Sequence, residues 1–295
     1  MKQAGIALVQ VLLLSAILMI MMLSIHQDTR RHLQTALEAK ERAQASLSLQ
    51  TMESELLFTL LTQRRRVAPT SDNPIVRQWN FYNQPFELPH GTVAIEDVAS
   101  LLSPTSPTSL QAVFSGILGD DVKAKQLVAA LVDWQDADNS PTFQGAEQSA
   151  YPGLVIRNGP LQTESELRFL HGMTETLYCQ IVPHVTVSPR KYVNYFLMPD
   201  SRQSFFMPPG NHELIKQARA EGTLTHAQFE VLSGRPMTDY QSYSPSETLR
   251  LTFTAYGNNV KLSRRFTVTL QPISNEPFKV WDYFKNYYAD SENCL

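Results

Sequence analysis

The densest group of side chains able to hold an ion is Asp133-Trp134-Gln135-Asp136-Ala137-Asp138-Asn139, with Glu147 shortly after. Hard oxygen donors crowded at a helix-to-loop junction suit Ca2+, which takes roughly 6–8 oxygens and tolerates irregular geometry. Three carboxylates this close repel one another unless a cation or solvent screens them. The spacing departs from the EF-hand loop, because no Gly falls where that loop must turn. Two readings stay open from the residues alone: a structural calcium site, and a solvated acidic loop capping neighbouring elements.

Other chemistry is poorly served. The histidines, His26, His32, His90, His171, His184, His212 and His226, are dispersed and form no HxxxH or HExxH pair. There is no GxSxG, P-loop or GxGxxG motif. No enzyme is expected. Cys179 and Cys294 form no CxxC; one disulfide and two unpaired thiols are equally compatible with their spacing. A net charge of −3 leaves no electrostatic footprint for nucleic acid.

The elements that position the acidic run follow from periodicity. Ile6 to Ile25 carries no charge and one strongly polar side chain, Gln10. About 20 residues at 1.5 Å each match the roughly 30 Å hydrocarbon core of a bilayer. No small-x-small cleavage site follows, so a retained anchor is expected rather than a secretory signal. Strong helix formers continue to Arg66, with apolar positions at Ala45, Leu49, Met52, Leu56 and Leu60. That spacing predicts one long helix whose second half packs on a sheet or a neighbouring helix.

Trp79–Tyr82, Phe86–Leu88 and Thr92–Ile95 read as short strands around the Pro89-His90-Gly91 turn. Helices are expected over 110–118, 122–134, 163–172, 211–220 and 225–232. Extended segments are expected at Val185–Val187 and Tyr192–Phe196. Residues 249–256 and 261–270 alternate around Gly257-Asn258-Asn259 and predict a hairpin. Strands thus flank a helical middle, which reads as an insertion into a β-domain. The tail from Phe278 places Trp281, Phe284 and Tyr288 at i, i+3 and i+7, which predicts a short amphipathic helix docked on the body.

Gly5-Ile6 behind a short basic leader, with an apolar helix and a long soluble extension, resembles a type IV pilin-like signal. The resemblance implies cleavage after Gly5 by a prepilin peptidase and methylation of the new terminus at Ile6. Most members carry Glu at the fifth mature position; this chain has Gln10. A missing Glu is similar to general secretion pathway protein K, the large minor pseudopilin of type II secretion. Residues 127–138, LVAALVDWQDAD, resemble that family's LV-x-A-x-x-DW-x-D-x-D stretch. Gly145-Ala146-Glu147 and Tyr151 resemble its GAE…Y, and Asn158-Gly159-Pro160, Glu166-Leu167, Gly172-Met173 and Pro183–Val187 continue in order. Val98–Leu102 stands where the family has GK-x-NLN, which marks a diverged member.

The resemblance implies an α+β, type IV pilin-like fold: a long N-terminal helix on a small antiparallel sheet, with a large α-helical insertion of SAM-like pieces. The implied order is a leader at 1–5, a transmembrane and pilin helix at 6–66, and the first part of the β-domain at 67–98. Helical subdomains at 99–188 and 189–244, a β-hairpin at 245–272 and an aromatic tail at 273–295 follow. It also implies structural Ca2+ on Asp133, Asp136, Asp138 and Glu147. The implied partners are other minor pseudopilins, the major pseudopilin, the prepilin peptidase and inner-membrane lipid. Arg30, Arg31, Lys40 and Arg42 follow the span and alone would place the N-terminus outside. The resemblance implies the opposite: a cytoplasmic N-terminus and a periplasmic body at the tip of a short filament. The rival readings are a membrane-anchored periplasmic scaffold or binding protein with an uncleaved anchor, and a metal-dependent hydrolase built on the acidic run.

Overall fold

The computed structural model describes residues 4–188, 192–236, 238, 242–258 and 260–287. Helix α1 (Ala4–Thr62) is 59 residues long, about 90 Å at 1.5 Å per residue. No Pro interrupts it, and its only Gly is Gly5. Its first half presents apolar side chains such as Leu12, Met19 and Ile25 on every side, exposed within this chain. Its second half buries Ala45, Leu49, Met52, Leu56 and Leu60 on one stripe. Each of the larger side chains contributes roughly 1.5–3 kcal/mol on burial. The helix stops at Thr62, so Arg64-Arg65-Arg66 lie just beyond its end rather than in its last turn.

That stripe lies on an antiparallel sheet in the order β1 (Phe86–Leu88), β2 (Gly91–Asp97), β3 (Thr248–Tyr256), β4 (Lys261–Leu270) and β5 (Phe278–Tyr287). Strand alternation sets the face: Leu249, Leu251, Phe253 and Ala255 are buried, while the residues between them are half-exposed. Val93 pairs with Phe253, and Leu251 with Phe266. Arg264, on the same face, donates to Glu53 of α1 at 2.8 Å.

Between β2 and β3 the chain leaves the sheet and forms helices. These are α3 (Pro107–Leu118), α4 (Asp121–Gln135), α5 (Glu175–Ile181), α6 (Asp200–Gln203), α7 (Pro209–Ala220) and α8 (His226–Ser233). A short α2 (Pro74–Gln78) precedes the sheet. Helix α3 ends where the sequence signals it, at Gly119 with φ 62°. The insertion has its own apolar core, running from Leu102 to Tyr243 through Phe114, Leu131, Tyr178 and Phe229. A second core, from Ala45 to Leu270, lies between α1 and the sheet.

Several expectations are corrected. The aromatic tail is not a helix over its described part: Phe278–Tyr287 is β5, paired with β4 through Trp281 and Thr267. Residues 79–82 form no strand; Tyr82 makes only an isolated bridge to Glu96. The helix expected over 163–172 is a 3₁₀ segment ending at Phe169, although its Thr163/Glu166 capping box is present. Tyr192–Phe196 is not a strand, and Val185 makes one parallel bridge to Leu102. Asn259 and Cys294 lie outside the described residues; Cys179, on α5, is disulfide-bonded.

One side chain joins insertion and sheet. Arg202 of α6 is fully enclosed, and all its nitrogens find acceptors. Nη2 donates to Glu96 of β2 at 2.9 Å and to Pro183 O at 2.8 Å. Nη1 donates to Ser100 O and Oγ, and Nε to His184 Nδ1 at 3.3 Å. Beside it, buried Asp97 accepts from Ala99 N, Asn194 Nδ2 and Ser246 Oγ. Burial, then the Arg202 charge, pushes the His184 imidazole down to about 4.

Two outcomes follow for the full chain in detergent. Glu96→Gln leaves Arg202 buried without its counter-charge and lowers unfolding free energy by about 3–5 kcal/mol in urea titration. His184 is neutral when folded and charged when unfolded below its ordinary value of 6.5. Its contribution is therefore complete above that value and is lost as pH falls toward 4, by about 2–3 kcal/mol. His184→Gln, measured over the same window, shows a shallower loss.

Candidate metal centre

The acidic residues converge because α4 ends among them. Asp133 sits in the last turn of α4 and is fully buried. Asp136 is the first residue past the helix, with extended backbone, and its N–H still donates to Val132 O. The chain then doubles back. Thr142 N donates to both Asp133 oxygens at 3.1 and 3.2 Å, and Gly145 N to Thr142 O at 2.8 Å. Glu147, buried, begins the next 3₁₀ turn. Gly145 is required by space: a Cβ there would stand 2.0 Å from Asp133 Oδ2.

Asp133, Asp136 and Glu147 thereby bring one carboxylate oxygen each to within 4.8 Å of one another. Asp138 does not join them. It is exposed, and its Oδ1 accepts from Ser140 N at 2.8 Å, which shapes the loop instead. A residue not singled out for this role does approach: Asn158, in the left-handed region at φ 48°. Its Nδ2 donates to Asp138 O and to Asn139 Oδ1, both at 3.1 Å. Its signal in the sequence was its place in Asn158-Gly159-Pro160, one of the segments that carry the family resemblance.

The polar accounting of this loop is incomplete without a further partner. Both Glu147 oxygens, Asp136 Oδ1 and Asn158 Oδ1 are buried and accept from no donor among the described residues. Burial first, and then the Asp138 and Asp133 charges, raise the Asp136 carboxyl above its ordinary value. Burial first, and then Asp133 and Asp136, raise that of Glu147. An unmet buried acceptor costs about 1–3 kcal/mol. The set is all oxygen, with no thiolate or imidazole, so it fits a hard cation such as Ca2+ and not a soft one. Among the described residues the group that could hold an ion contains carboxylates alone.

A long N-terminal helix laid on an antiparallel sheet, with a helical insertion between adjacent strands, is a pilin-like fold. Comparison with known proteins narrows this. Residues 95–190 match the family described as type II secretion system (T2SS), protein K. The chain is 30% identical over 206 residues to type II secretion system protein K of Klebsiella pneumoniae, covering 62% of each. It is 28% identical to putative type II secretion system protein K of Escherichia coli K12, covering 95% of this chain and 92% of that one. A chain of the GspK–GspI–GspJ complex from the type 2 secretion system of enterotoxigenic E. coli matches with a TM-score of 0.50. That match has 18% identity and covers 89% of this chain and 99% of that one. The middle third of this chain is thus similar to the protein K domain of type II secretion systems, and the chain spans 62% of the length of the Klebsiella relative.

With a chelator present, Glu147→Gln removes one of three mutually repelling charges and supplies an amide donor. The full-length variant then melts a few degrees above the unaltered chain, the size expected for about 1 kcal/mol. A lower melting point under chelation overturns this account of the loop.

Proposed function

We propose that this chain is a minor pseudopilin of the type II secretion system. It sits at the pseudopilus tip, starts assembly and supports export of folded proteins across the outer membrane. The observation that carries this reading is the combination in one chain of a pilin body with the protein K domain at 95–190. The protein acts by assembly rather than catalysis.

In this reading the apolar half of α1 crosses the inner membrane once, with a cytoplasmic N-terminus and a periplasmic body. Prepilin peptidase cuts after Gly5 and methylates Ile6. Gln10 replaces a carboxylate that could pair with a neighbour's terminal amine, a pairing strengthened in lipid. A neutral amide offers only a weaker bond, which suits a subunit with nothing above it. The stem of α1 supports lateral assembly. Leu33, Leu37, Leu47 and Phe58 are exposed, at 60, 51, 63 and 69%. They fall on one stripe of near-heptad spacing, the pattern that packs helix on helix. The partners are the other minor pseudopilins and the major pseudopilin.

Asp133, Asp136 and Glu147, helped by Asn158, would hold Ca2+. Its charge would offset the three carboxylates and fix the loop against α4. Calcium then raises the melting temperature of the full chain, and Glu147→Gln reverses sign, lowering it when calcium replaces chelator. A melting curve indifferent to calcium overturns the metal assignment.

Mass spectrometry of the purified N-terminus separates this reading from an uncleaved periplasmic scaffold. The expected chain begins at Ile6 and carries one methyl group; a retained Met1 rejects the pseudopilin.

A further inference from the structure

A cavity of about 350 Å³ opens where the stem, the sheet domain and the second half of the insertion meet. Its volume falls within the range of small-molecule sites, roughly 300–1,000 Å³. Arg65 and Arg66 line it just past α1, with Tyr82, Phe196, Arg219 and Tyr243 around them. Among the described residues no carboxylate lines it.

The three guanidinium groups differ. Arg219 is engaged: Nη1 donates to Asp200 Oδ1 and Nη2 to Phe196 O, both at 2.7 Å, and its Cζ lies 4.7 Å from the Tyr82 ring centre. Arg66 is exposed at the rim. Arg65 is half-buried, and its Nη1 is enclosed without an acceptor among the described residues. A planar guanidinium with an unmet donor is suited to a carboxylate, which it can meet with two parallel bonds. The rest of the wall mixes aliphatic and aromatic side chains; Phe196 and Tyr243 have ring centres 5.6 Å apart, and the His226 ring packs on both. A dianionic phosphate would ask for several unengaged donors and gain little from these rings.

We propose that this cavity binds a carboxylate carried on an aromatic or apolar body. Arg65 takes the carboxylate, and Tyr82, Phe196 and Tyr243 take the body. The same chemistry is offered by a free arylalkyl acid and by the terminal carboxylate of a polypeptide ending in an aromatic residue.

Isothermal titration of the full chain in detergent micelles tests this. The probes are 3-phenylpropionate, its neutral amide, and a short peptide ending in Phe with a free or an amidated terminus. Each titration is repeated on Arg65→Gln, so that partition into the micelle cancels. The acid binds at least about tenfold more tightly than the amide, and Arg65→Gln removes that preference. Arg65→Lys keeps the charge without the fork, retains part of the preference, and serves where the Gln variant misfolds. Binding of phenylpropionate alone supports a free acid as the ligand; tighter binding of the free-terminus peptide supports a polypeptide end. Equal affinity of acid and amide, an Arg65→Gln protein that binds as before, or no binding heat at millimolar ligand overturns the proposal.

Discussion

The enclosed guanidinium of Arg202 is the constraint on which the arrangement of this molecule depends. A charge taken out of water is tolerated only with its counter-charge and with every donor satisfied. Glu96 supplies the charge from the central sheet. Ser100 supplies acceptors just past β2, and Pro183 and His184 just past α5. Arg202 itself belongs to α6. Three segments far apart in sequence are therefore fixed to one planar group, and none can rotate without stranding a buried donor. An apolar contact would hold them together but would not specify the angle.

The network extends toward the acidic loop. Arg250 of β3 lies 3.8 Å from the other Glu96 oxygen and 3.9 Å from Glu164. Glu164 accepts from Val187 N at 3.0 Å. Two residues on, Glu166 is held by the Arg157 fork at 2.7 and 3.0 Å. Burial would raise the Glu166 carboxyl, but that fork and the amides of Gln162 and Thr163 bring it below its ordinary value. Asn158, next to Arg157, clamps the loop that carries Asp136 and Asp138. Sheet, junction and acidic loop are thus joined by polar contacts and short stretches of chain, each contact worth little alone where exposed and more where buried.

How much of this was legible in the sequence divides along physical lines. Local periodicity was readable: the stripe Ala45–Leu60, the alternation of β3 and β4, and the stop at Gly119 each depend on near neighbours. The meeting of Asp133, Asp136 and Glu147 was legible from composition at a helix end. The exclusion of Asp138 was not, because it turns on one hydrogen bond to Ser140 N. The tail misled because Trp281 and Phe284 sit at helical spacing. A strand edge already presented by β4 decided otherwise, and Trp281 Nε1 donates to Thr269 Oγ1 at 3.0 Å. Sheet pairing is non-local, so no window of residues reports it. Arg202 was invisible for the same reason: nothing near it in sequence announces a partner 106 residues away.

The same division explains why one chain carries two apolar cores. An insertion between adjacent antiparallel strands leaves their register intact only if its ends return close together. Here β2 and β3 remain paired from Gly91–Ala255 to Asp97–Leu249. The residues leaving and re-entering, Asp97 and Ser246, are tied to each other and to Asn194. That short polar clasp closes a loop of roughly 150 residues, whose closure entropy grows only logarithmically with length. The insertion can therefore hold its own core and its own acidic loop without loosening the sheet, provided the clasp and Arg202 hold its base. Loop growth costs little here, and angular control at the base is the demanding requirement.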